Sequence, residues 1–175
     1  MQYSVATILS VFLAGFLSTT QALPSGTSPR NTTQQLADAQ NKWQQDTSVV
    51  SQFLGAVPNL QGAKLQSAAQ VALNAENDEL LHKKVLDGSF PADSRIIAAN
   101  DILVNQGTFQ FVVDALANFA QNGATMSPSD KASLLQQTNQ IRCGQVLPAI
   151  DTYFHVAGET LNNGGFALAT RPVNC

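Results

Sequence analysis

Apolar side chains recur along this chain three to four residues apart, and they alternate nowhere for more than a few positions as a strand would require. At about 100° per residue, Leu65, Ala68, Ala69, Ala72, Leu73, Ala75, Leu80 and Leu86 fall on one broad stripe. The stripe predicts a helix over residues 65–86, with Asn59 placed as its N-cap and Gly88 as a left-handed C-cap. Leu36, Ala39, Trp43, Val50 and Leu54 define a preceding helix over 33–56, in which Trp43 reads as a core anchor. A third helix over 92–105 pairs Ile96 with Ala99 and Leu103, and Ile97 with Val104. A fourth over 108–121 carries Phe109, Val112, Val113, Leu116, Phe119 and Ala120 on one wide face. Ser127-Pro128-Ser129-Asp130 combines an N-cap, a proline at the first helical position and an acid three residues on. It opens a fifth helix with Leu134, Leu135, Thr138 and Ile141 as its seam. Val146, Leu147, Ile150, Tyr153, Phe154, Ala157 and Leu161 mark a sixth segment, either separate from the fifth or continuous with it through a kink. Connections are short, which favours antiparallel neighbours. The expected fold is all-α: a single-domain antiparallel bundle of five to six helices over residues 33–175.

The N-terminal residues read differently. An apolar run over 5–17 is followed by Ser18-Thr19-Thr20-Gln21-Ala22, the form of a secretory signal peptide over 1–22, and a Pro-, Ser- and Gly-rich leader follows over 23–32. Asn31-Thr32-Thr33 is a glycosylation sequon, so Asn31 is a candidate acceptor. No integral membrane segment is expected after signal removal, and no lipid anchor at the C-terminus. Charged residues make up 12% of the chain, against about 25% in an average protein, and the net charge is −3. That balance gives no electrostatic footprint for nucleic acid. In a secreted protein the two cysteines, Cys143 and Cys175, should pair, tying the tail after Asn162 to the bundle. The expected localisation is extracellular.

The chemistry that the chain could carry is concentrated in one helix. Glu76 and Glu79 lie within the apolar stripe over 65–86, and carboxylates on a burying face need partners. Glu79-Leu80-Leu81-His82 resembles the E-x-x-H segment of ferritin-like proteins, which implies Glu76, Glu79 and His82 as candidate metal ligands. The rest of that ligand set is missing: the fourth and fifth helices carry no glutamate, and Asp151, His155 and Glu159 fall on the flank or back of the sixth segment. The expectation is therefore no metal, no cofactor and no catalytic residue. Structural roles remain for the two glutamates: a place at the rim, with Lys83 four residues after Glu79, or burial with hydrogen bonds from Asn100, Gln137 or a helix end. A hydrophobic small molecule between helices is an alternative role for the apolar faces.

Five stretches carry a wider resemblance: W-Q-Q-D-T-S-V-V-S-Q-F-L, A-L-N-A-E-N-D-E-L-L-H-K-K-V-L-D-G, Q-G-T-F-Q-F-V-V-D-A-L, R-C-G-Q-V-L-P-A-I-D-T-Y-F and the terminal R-P-V-N-C. Together they resemble a group of small secreted ascomycete proteins, effector-like and without an assigned activity. The resemblance implies a non-enzymatic fungal protein acting at a host or cell-wall interface, with a host protein or cell-wall component as partner. An extracellular carrier of a lipid-like ligand, or a degenerate ferritin-like metal-binding bundle, is the alternative.

Overall fold

The computed structural model describes residues 32–163 and 167–175. The expected signal peptide, the leader up to residue 31 and the Asn31 sequon lie outside them. Among the described residues the chain forms α1 (Thr32–Ala56), a 3₁₀ turn (Val57–Asn59), α2 (Gly62–Ser89) and α3 (Ser94–Asn100), which runs into a π-helical turn (Asp101–Asn105). Next come α4 (Thr108–Asn122), α5 (Pro128–Ile141), a second π turn (Arg142–Val146) and α6 (Leu147–Leu161). The all-α bundle expected from the apolar spacing is the observed fold.

α1 and α2 form a hairpin with a regular seam. Leu36, Gln40, Trp43, Thr47, Val50, Leu54 and Val57 are buried along α1 and its 3₁₀ extension, alternating four and three residues apart. Leu65, Ala69, Ala72, Glu76, Glu79, Lys83 and Leu86 are buried along α2 at the same spacing. Alternating fours and threes hold one line of side chains toward a single neighbouring helix, as in a coiled coil. Trp43, midway along α1, meets Glu79, well along α2, which is what an antiparallel hairpin requires. α2 also packs against α4, and α3 packs against α6. Trp43 sits between Tyr153 and Phe154 of α6, at ring-centroid distances of 5.2 and 5.6 Å. Phe53 meets Phe119 of α4 edge-on.

α5 and α6 are one rod. Pro148 has no N–H to offer the carbonyl of Gly144, and the ladder there widens: the Leu147 N–H reaches back to the Arg142 carbonyl, five residues away. In the same way the Gln106 N–H bonds Asp101 O at 3.0 Å, before Gly107 ends that helix at φ 71°.

Several local expectations are corrected. Gly88 is not a left-handed cap: the Phe90 N–H bonds Leu86 O at 3.0 Å, so the α2 ladder runs past it. Asn59 does not cap α2, because it belongs to the 3₁₀ turn and Gln61 takes the N-cap position. Leu80 is 43% exposed, since the inward line passes through Glu79 and Lys83 and leaves Leu80 about 100° aside. Ile97 and Val104 are exposed while Ile96, Ala99 and Leu103 bury. The Ser127 cap holds as expected, its hydroxyl accepting from the Asp130 N–H at 3.1 Å. No helix among the described residues is long and apolar enough to cross a membrane.

Candidate functional site

The centre of the bundle holds a charge network with no access to solvent. Glu76 and Glu79 come from the α2 seam, Arg142 from the first position of the second π turn, and all three side chains are 0% exposed. Arg142 Nη1 donates to Glu76 Oε2 at 2.6 Å, and Nη2 to Glu79 Oε1 at 3.3 Å. The indole Nε1 of Trp43 donates to Glu79 Oε2 at 2.8 Å. The π turn is what allows this: it points Arg142 inward and leaves Cys143, the next residue, toward the surface and the disulfide.

Two carboxylates face one guanidinium, so full ionisation would leave the sealed group one charge negative. Burial raises the pKa of both acids. Glu79 is lifted well above the carboxylate range because it also faces the charge on Glu76; Arg142 and Trp43 pull it only partly back. The charge and hydrogen bond of Arg142 pull Glu76 only partly back as well. A single proton held on Glu79 brings the group to neutrality, the arrangement that costs least in a dry core.

His82 stands apart from this network. Its Nε2 lies 3.3 Å from Asp46 Oδ2 at the rim, beside Lys42 and Asp78. Burial, reinforced by Asp78, pushes the Asp46 carboxyl up to about 6. Burial, reinforced by Lys42, lowers His82. Glu79 and His82 therefore do not converge as a ligand pair: Glu79 is committed to Arg142 and Trp43, and a guanidinium occupies the place where a metal's charge would sit. Among the described residues no group of three or more His, Cys, Asp or Glu side chains is arranged to hold a metal ion.

A second polar cluster borders the first. Lys83 is 5% exposed and bonds Asp87 Oδ2 at 2.7 Å and the side-chain oxygen of Asn100. Tyr153 donates to Asp87 Oδ1 at 2.7 Å, and burial with this bond holds its phenol well above the usual tyrosine range. Asn100 thus serves Lys83 rather than a buried glutamate, and Gln137 bonds Ser133 on the exposed side of α5. Lys83 pairs with Asp87, not with Glu79.

His155 and Glu159 face outward and Asp151 lies half-buried on the flank, as their helical phase requires. Asp151 binds Arg171 and accepts from the Ala169 N–H, and Glu159 takes a two-bond grip from Arg95. Cys143 and Cys175 are bonded to one another, closing a separation of 32 residues. Arg142 is the partner that the sequence left unassigned. Its signal was the same as that of the glutamates: it lies four residues after Thr138 and four before Val146, a charge on a burying line. No family model matches the chain, and neither a curated protein nor a solved structure does.

Proposed function

We propose that this is a secreted, non-enzymatic recognition protein of the effector-like kind, acting through its outer surface at a host or cell-wall interface. The observation that carries the reading is the sealed Arg142–Glu76–Glu79 network: three charged side chains with no exposed surface are turned inward and balanced against one another, where no substrate reaches them. Its chemistry is that of a fixed scaffold. The Cys143–Cys175 bond supports an oxidising compartment, where such bonds persist. The outer faces combine Asn and Gln amides with apolar side chains such as Val71, Leu81 and Ile97, a surface able to meet a partner without strong charge.

The carrier reading is less well supported. Trp43, Tyr153, Phe154, Leu116 and Leu147, with the charge network, occupy the volume where an interhelical ligand would lie. Purified protein infiltrated into plant tissue is expected to provoke a host response or to alter infection, and the absence of both would count against the proposal. Native mass spectrometry of the secreted form should give the bare polypeptide mass plus any glycan; a retained lipid would favour the carrier instead.

A further inference from the structure

We propose that the groove between α1 and the α5–α6 rod is a binding site for an extended, arginine-bearing peptide, filled in the disulfide-bonded protein by the chain's own residues 167–175. The extracellular surface role does not depend on this.

The segment is held by bonds to its main chain. Gln44 Nε2 donates to Leu168 O at 3.1 Å, and Ser51 Oγ to Thr170 O at 2.5 Å. The Ala169 N–H donates to Asp151 Oδ1 at 2.8 Å and the Thr170 N–H to Thr47 Oγ1 at 3.3 Å. Farther along, Asn139 Nδ2 donates to Asn174 O at 3.4 Å. Bonds of this kind recognise an extended backbone whatever its side chains, as in other peptide-recognition grooves.

Side chains are read at positions 169, 171 and 172, and Asn174 Nδ2 also donates to Leu54 O at 3.2 Å. Ala169 is 2% exposed, Pro172 is buried, and the Arg171 guanidinium pairs with Asp151. Leu168 and Val173 are exposed, Val173 at 95%, and place no constraint on a ligand. The groove therefore suits a peptide with a small residue, then an arginine two positions on, then proline.

The disulfide is the latch. Cys175 is exposed and joins the end of the segment to Cys143 in the second π turn. A dithiol reductant would transfer two electrons and two protons: the S–S bond breaks, Cys143 and Cys175 become thiols, and the reductant closes its own disulfide. The hydrogen bonds, the Arg171–Asp151 pair and the buried Ala169 and Pro172 then have to offset, without the covalent link, the conformational entropy of ordering the segment.

Hydrogen exchange followed by mass spectrometry tests this on the full chain, oxidised and after excess dithiothreitol. The amides of Ala169 and Thr170 should exchange at least tenfold faster after reduction, with α2 and α4 still protected. Labelled Ala-Leu-Ala-Thr-Arg-Pro-Val-Asn-Ser should then bind the reduced protein. N-methylation of the amides matching Ala169 and Thr170, or replacement of its arginine by alanine, should weaken binding at least tenfold, and replacement of its valine by alanine should not. In the oxidised protein, Thr47→Val with Ser51→Ala should speed Thr170 exchange at least tenfold with the latch intact. Unchanged tail exchange on reduction would overturn the proposal, as would loss of protection throughout α2 and α4 or peptide binding indifferent to N-methylation. A reduced dimer with exchanged tails would assign the groove to a second copy and overturn it too.

Discussion

Two arginines in this protein each bridge two carboxylates: Arg95 holds Asp93 and Glu159 at the surface, and Arg142 holds Glu76 and Glu79 in the core. The bonds are alike, with Arg95 donating at 2.8 to 3.1 Å and Arg142 at 2.6 and 3.3 Å. Their effects on the acids are opposite. Around Arg95 the guanidinium and its hydrogen bonds lower the acids, Asp93 to about 2. Around Arg142 the loss of water outweighs the same attraction, and both acids rise. Burial, not the contact itself, sets the sign.

The largest expected effect comes from breaking the core half of that comparison. Arg142→Met leaves two buried carboxylates without a cation and should destabilise by about 3–5 kcal/mol, read from urea denaturation. Restoring balance with Glu76→Leu and Glu79→Leu in the same chain should recover most of the loss, because an apolar replacement of a whole buried network is often neutral. Failure to recover would mean that the network sets the packing and is not merely tolerated by it.

Next in size is the link that anchors the π turn carrying Arg142. Cys143→Ala with Cys175→Ala should lower stability by about 2–4 kcal/mol, mainly through a freer unfolded chain. A much larger loss would tie the disulfide to the charge network itself.

The dependence on pH sharpens the contrast. Glu76, Glu79 and Asp46 have folded pKa values above their ordinary ones, so their contribution is full in acid and is lost as pH rises through the folded values, near 6 for Asp46. His82, lowered on folding, acts in the other direction: its contribution falls as pH drops below the ordinary histidine value. Asp93 and Glu159, both lowered, lose theirs only below the ordinary carboxylate range. Thermal midpoints should therefore peak between about pH 4 and 6 and fall toward pH 8. Glu79→Gln should flatten the neutral side of the curve. The smallest effect is expected from Arg95→Met, whose denaturation midpoint at neutral pH should stay within error of the parent chain, as for exposed pairs in general.

How much of this could be read in the chain follows from the same physics. The α1 and α2 seams were legible because helical phase is local, and Glu76 and Glu79 showed themselves as charges on a burying line. Their partner, Arg142, carried the same kind of signal in a weaker form. Thr138, Arg142 and Val146 are spaced by four, which drifts about 40° per step on a regular α-helix, so Arg142 loses the inward phase unless the ladder widens at Pro148. A π turn is a tertiary compromise that no short pattern announces. Lys83 was visible on the stripe, but its match with Asp87, Asn100 and Tyr153 depends on three separate helices. Gly88 misled because glycine marks a helix end only where the chain needs a left-handed residue, and here α2 continues.

Carboxyl ¹³C chemical shifts of Glu79 and Glu159, followed through a pH titration of the folded protein, test the central claim most directly. The account predicts that Glu79 keeps its proton well beyond the pH at which a free glutamate loses it, while Glu159 ionises earlier than a free glutamate. If Glu79 titrates at or below the ordinary glutamate value, the network is hydrated or differently paired, and the sealed core described here is wrong.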